Sequence, residues 1–185
     1  MGRNQTLTSL WLFGNDSSDE GAAHLAAALR SCRLTSLGLE MNEIHTTGAE
    51  ALAYALSLEH CPLSLLRLQH NPLGDGGVTA LARALYNNRS LTKLQLRDTG
   101  VSAVGCAELA KVIPQHKALH DIGLEQNELP PTVTDSLLRA MRVSSSLATL
   151  SLDLQHGGEY SKQQTADELM KKYTISKLAG KKKIL

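Results

Sequence analysis

The chain has 185 residues, 42% of them hydrophobic and 20% charged, with a net charge of +1. That balance suits one globular domain with a sizeable core and excludes a disordered chain, and the near-neutral charge gives no overall field for nucleic acid or membrane. Aromatic residues make up only 3%, so the core has to be built from Leu, Ala, Ile and Val.

No apolar run approaches the ~18 residues of a membrane helix. The opening MGRNQTLTSL lacks the apolar stretch of a secretory signal. Cys32, Cys61 and Cys106 are odd in number and widely spaced, a usage that fits reduced thiols better than a disulfide framework or a zinc site. These features set the expectation of a cytoplasmic protein. On that expectation the glycosylation triplets at Asn4, Asn15 and Asn88 are coincidences.

In chain order, the first predicted strand opens at Leu7, and a helix follows with Ser17 and Glu20 at capping-box spacing. The second unit, LTSLGLEMNEIHTTGAEALAYAL, carries a frame of Leu34, Leu37, Leu39, Asn42, Ile44, Gly48, Leu52 and Leu56. The frame returns as Leu63, Leu66, Leu68, Asn71, Leu73, Gly77, Leu81 and Leu85. Further units start at Leu91, Leu119 and Leu147, so the steps are 27, 29, 28, 28 and 28 residues. Five units are complete, and the sixth stops after its strand.

Each unit changes period halfway. In LTKLQL, Leu94 and Leu96 lie two apart, as one buried face of a strand requires. In GAEALAYAL, Gly48, Leu52 and Leu56 lie four apart, on one helical face. Thr47 and Glu50 again have capping-box spacing, and alternate alanines keep the helix thin. Asn15, Asn42, Asn71 and Asn127, with Thr99 in the fourth unit, fall where strand becomes loop, and are expected to satisfy backbone groups that leave the ladder. Gly74 and Gly76 are assigned to the turn before a helix, and Gly77 to the frame. Residues 1–158 therefore form a solenoid, and 159–185 a carboxy-terminal helical cap from about Thr165 with a basic tail.

No unit can bury its leucines alone, whereas stacked units share one apolar interior. The quoted units resemble the leucine-rich repeat family, in its ribonuclease-inhibitor-like subclass, which NOD-like receptor repeats also resemble. The resemblance implies an α/β leucine-rich repeat solenoid, a right-handed horseshoe with a parallel sheet on the concave face and helices on the convex face. It implies a non-catalytic scaffold that binds a partner protein, with no cofactor and no metal. An alternative within the same subclass is a GTPase regulator resembling Ran GTPase-activating protein, although the KKKIL terminus departs from that family's acidic tail. Only six residues precede Leu7, so further repeats or domains before Met1 are one expectation.

Because the fixed positions point inward, a partner must read the residues between them. These include Trp11, Phe13, Glu40, Arg67, Gln69, His70, Lys93, Arg97 and Glu125. Trp11 and Phe13, the chain's only Trp and Phe, lie two apart on one side of a strand, as paired anchors would. Arg67, His70, Lys93 and Arg97 form a basic centre between acidic flanks, an alternation that fits a charged protein partner better than a polyanion. Six strands at ~4.8 Å span only about 24 Å, so loops must add to the ~800 Å² per partner of a standard interface. His116 and His120 are four apart, but the frame puts one in a loop and the other at a strand, which removes the helical metal-binding geometry. Cys106 is read as a small buried residue rather than a thiolate at a helix start.

Overall fold

The structure, a computed structural model, describes residues 4–152. Six three-residue strands alternate with five helices: β1 Ser9–Trp11, α1 Ser18–Leu29, β2 Ser36–Gly38, α2 Thr46–Ser57, β3 Leu65–Arg67 and α3 Gly74–Leu85. They continue as β4 Lys93–Gln95, α4 Ala103–Val112, β5 Asp121–Gly123, α5 Pro131–Val143 and β6 Thr149–Ser151. The strands form one parallel sheet in sequence order, and each helix packs against the helix before it and the helix after it. This is an α/β leucine-rich repeat solenoid. No helix among the described residues is long and apolar enough to cross a membrane.

The register follows the frame. Leu10, Leu37, Leu66, Leu94, Ile122 and Leu150 pair one with the next across all six strands. From Leu37 onward this row is 0–2% exposed. Full burial of each such side chain contributes roughly 1.5–3 kcal/mol. Leu52, Leu81, Leu109 and Leu137 close the other side of the same interior from the helices.

The asparagines act as expected wherever a preceding coil exists. Asn127 accepts the Thr99 and Val101 amides at 3.0 and 3.3 Å and donates to the carbonyls of Leu96, Leu124 and Glu125. Asn71 and Asn42 do the same two and three coils earlier. Asn15 lies on the outermost coil, is exposed, and only donates, to Phe13 O at 3.1 Å.

A second ladder stands three residues before the first Leu of the fourth, fifth and sixth units. Asn88 Oδ1 accepts the Ser90 and Leu91 amides, His116 Nδ1 those of Ala118 and Leu119, and Ser144 Oγ those of Ser146 and Leu147. Asn4 repeats the pattern with Thr6 and Leu7. Asn88 is buried, with its amide nitrogen on Leu56 O at 2.8 Å. Its glycosylation triplet is thus a core residue and its strand entry.

The capping-box reading needs correction. Ser17 makes no side-chain cap bond, and α2 starts at Thr46, so Thr47 is already helical. Two helix starts, those of α2 and α4, are capped from the preceding helix instead. Asp19, in the first turn of α1, accepts the His45 and Gly48 amides at 2.7 and 2.9 Å. Asp75, in the first turn of α3, accepts the Ser102 and Gly105 amides, both at 2.8 Å, and the Ser102 hydroxyl at 2.6 Å. Burial alone would raise the Asp75 carboxyl, but the Ser102 hydroxyl and the Gly105 and Ser102 amides outweigh it and hold its pKa below the ordinary value.

This cap accounts for the frame glycine at Gly48 and Gly105, whereas a Cβ on Gly77 would meet Ala49 Cβ at 2.9 Å. A Cβ on Gly48 would lie 2.6 Å from Asp19 Oδ1, and one on Gly105 3.0 Å from Asp75 Oδ1. For α5 the acceptor position on the preceding helix is Ala103, and in the fifth unit Val133 replaces the glycine and Pro130 brings no amide. Acceptor, donor and glycine are lost together. Gly76 also departs from its expected role: it lies within α3, where a Cβ would meet Thr46 Cγ2 at 2.8 Å. Gly74 opens that helix at φ +62°, a conformation glycine adopts without strain. The expected cap at 159–185, and the sixth unit beyond residue 152, lie outside the described residues.

Candidate interaction surface

The concave face is built from side chains that flank the buried leucines of each strand and from the turns that follow. Its amino-terminal end is apolar and exposed: Trp11 is 51%, Phe13 63% and Met41 49% accessible. Gly14 N donates to Glu40 O at 2.9 Å, so the turns carrying Phe13 and Met41 lie side by side. Met41 sits at φ +55°, in the left-handed turn that also holds His70, Asp98 and Gln126 in later units.

Trp11 is seated rather than loose. Its ring lies over Gly38, where a Cβ would stand 2.4 Å from Trp11 Cε3. The Arg67 guanidinium carbon lies 5.7 Å from the ring centroid, within cation–π reach. Arg67 Nε also donates to Glu40 Oε1 at 2.8 Å. Glu40, expected to be offered to a partner, is instead only 6% exposed and holds Arg67 in place. The structure thus joins Trp11, Glu40 and Arg67 across three adjacent coils.

The expected basic centre is largely paired within the face. His70 Nδ1 lies 2.9 Å from Asp98 Oδ2, and Arg97 Nε donates to Gln126 Oε1 at 2.8 Å. Lys93 Nζ lies 3.9 Å from Asp121 Oδ2. Asp121 Oδ1 accepts from Gln95 Nε2 at 3.1 Å. Glu125 is half-buried, its carboxylate oxygen 3.0 Å from where a Gly123 Cβ would stand. Gln69 is half-buried, with a shielded Oε1 that has no hydrogen-bond partner. The alternating charges therefore answer one another from coil to coil.

Elsewhere, burial shifts Cys61, Cys106 and His116 toward their neutral forms. Burial pushes the Cys106 thiol up to about 12, with Asp75 adding in the same direction. Burial also raises Cys61. His116 is fully buried and lowered to about 4, first by burial and then by the Arg89 charge, partly opposed by the Asn88 backbone. Nothing in the sequence frame flagged His116 as structural, although its place three residues before Leu119 matches Asn88 before Leu91. Met41 was missed as an anchor because one exposed methionine has no pattern until its turn is set beside Phe13.

A family model described as "Leucine Rich repeat" matches residues 3–26, 30–53, 56–82 and 87–110. No curated protein matches the chain. Among solved structures, one titled "Leiomodin-1 Actin-Binding Site 2 (ABS2)" aligns at 13% identity and TM-score 0.61. That alignment covers 95% of this chain and 86% of the other. A Caenorhabditis elegans tropomodulin C-terminal domain aligns at 14% identity and TM-score 0.63, over 75% of this chain and 84% of the other. At such identities the likeness concerns the fold.

Proposed function

The chain belongs to the leucine-rich repeat family, and we propose that it is a non-catalytic scaffold whose protein partner docks on the amino-terminal end of the concave face. The observation that carries this reading is the exposure of Trp11, Phe13 and Met41 on adjoining coils, with Trp11 preset by Gly38 and Arg67. A rigid, half-exposed aromatic loses little conformational freedom on binding, which is why such residues anchor interfaces. The charges further along pair among themselves and contribute specificity rather than the main attraction. Arg67, Gln69, His70, Lys93, Arg97 and Glu125 then form the polar rim of that contact.

The ribonuclease-inhibitor-like subclass is supported by units of 27–29 residues that each hold a helix of 10–13 residues. Three free cysteines suit a reducing compartment such as the cytoplasm. Actin is the first partner to test, because the leiomodin structure that spans most of this fold carries actin binding in its title. No observation favours the GTPase-regulator alternative, since Arg67 and Arg97 are both tied to neighbours.

The experiment is affinity capture with parent and Trp11→Ser/Phe13→Ser chains, followed by binding of purified actin to both. Loss of the parent's protein partner in the double variant supports the reading. Equal capture by both chains moves the site off this face.

A further inference from the structure

We infer that the rim made by the helix-to-strand loops is a second docking surface, for an acidic polypeptide segment that carries an apolar side chain. This surface is separate from the concave anchor. The five helices run the same way, and formal charge is sorted along them. The strand-to-helix rim carries Asp16, Glu43, Asp98 and Glu128, with Asp19, Glu20 and Asp75 in first helical turns. The opposite rim carries Arg30, Arg33, Arg89 and Lys117 in its loops. Arg83, Lys111 and Arg142 stand in the last helical turns above them.

Complementing the helix dipoles does not use up these cations. Each helix end presents about half a negative charge, so five ends present roughly two and a half. Of the seven cations named, Lys111 is held by Glu108, and Glu59 is the one carboxylate in the helix-to-strand loops. Five positive charges remain against those two and a half. Arg30, Arg33 and Lys117 are exposed and have no carboxylate partner among the described residues.

A groove of about 250 Å³ opens within this rim, lined by Leu29, Arg30, Ala55, Leu58, His60 and Cys61, with Glu59 at its side. It falls below the ~300 Å³ at which small-molecule sites begin, and so fits a side chain better than a cofactor. Arg30 belongs both to the groove and to the charged rim, which sets an apolar anchor beside an acidic neighbour in the occupant. Glu59 breaks the basic row, and a nucleic acid would want that row continuous.

The test is fluorescence anisotropy of a dye-labelled oligoglutamate peptide with a central leucine, on the full chain at low salt. The comparison probes are the same peptide with serine for leucine, an oligolysine peptide and a single-stranded oligonucleotide. The expected result is leucine-dependent, salt-sensitive binding that weakens roughly tenfold, or ~1.4 kcal/mol, in Arg30→Glu/Arg33→Glu. The same probe is expected to weaken in Lys117→Glu and to be unchanged in Trp11→Ser/Phe13→Ser. All these positions are exposed, and matching circular dichroism melts show that the variants fold. Undiminished binding in both rim variants, which would point to the lysine-rich tail, overturns the inference. So does an oligonucleotide that binds as tightly as the peptide, or loss of peptide binding in the concave variant.

Discussion

Asn71 closes the coil of Asn42: its Oδ1 accepts the Asn42 and Ile44 amides, both at 3.0 Å, across 29 and 27 residues of sequence. Asn42 does the same for Asn15 and Ser17 on the coil before. Each asparagine therefore shapes its neighbour's turn, and in doing so fixes the distance between coils.

Asn71→Ala strands two amides and several carbonyls in a dry site, and is expected to cost about 3 kcal/mol, the upper range for an unsatisfied buried group. Asn15→Ala, on the exposed outer coil, is expected to cost under ~0.5 kcal/mol. Urea denaturation of both variants checks the contrast, and equal midpoints would refute the ladder's role.

The cross-helix caps should behave as caps. Asp75→Ala is expected to cost about 1–2 kcal/mol, the upper part of the range for losing an N-cap acceptor. Gly48→Ala is expected to cost ~1–3 kcal/mol by overpacking against Asp19 and Ile44. Val133→Ala, in the unit that lacks the cap, leaves α5's start without such a penalty. Thermal melts of the three variants rank them.

His116 makes stability depend on pH. Its folded pKa of about 4 lies below its ordinary 6.5, so the unfolded chain binds the proton first. The stabilisation is complete above about pH 6.5 and is lost as pH falls toward 4. The gap is worth roughly 3 kcal/mol. His116→Asn supplies the same acceptor that Asn88 offers one coil earlier, and is expected to flatten that part of the pH profile. A variant profile as steep as the parent's would assign the dependence elsewhere.

Arg67 and Lys93 face the same surface but differ in worth. Arg67→Ala removes the partner of a buried carboxylate and one wall of the Trp11 seat, and is expected to cost about 1–3 kcal/mol. It should also shift the emission of the chain's single tryptophan. Lys93→Ala breaks an exposed 3.9 Å pair and is expected to fall within ~0.5 kcal/mol of the parent. Fluorescence-monitored unfolding reads both effects together.

The fold was legible because Leu37, Leu66, Leu94 and Ile122 must meet in one layer, and only a fixed step can bring them there. The asparagine row was legible for the same reason. The caps were not: Asp19 and His45 belong to different units, and capping rules look only along one helix. Glu40 misled because a position facing the concave side does not tell whether neighbours on the next coils cover it; here Trp11 and Arg67 do. Charge alternation was visible, but its pairing across coils needed the register. Trp11 and Phe13 stood out by type alone, and Met41 became visible only beside them.

The proposed function turns most directly on whether the Trp11 seat is buried by the partner. Acrylamide quenching of the chain's single tryptophan, incorporated as 5-hydroxytryptophan so that it is excited apart from any tryptophan of the partner, is measured on the free chain and on the complex with its captured partner. The account predicts a half-exposed, readily quenched tryptophan that becomes shielded in the complex and regains access on dissociation. A complex in which Trp11 is quenched as readily as in the free chain would contradict it.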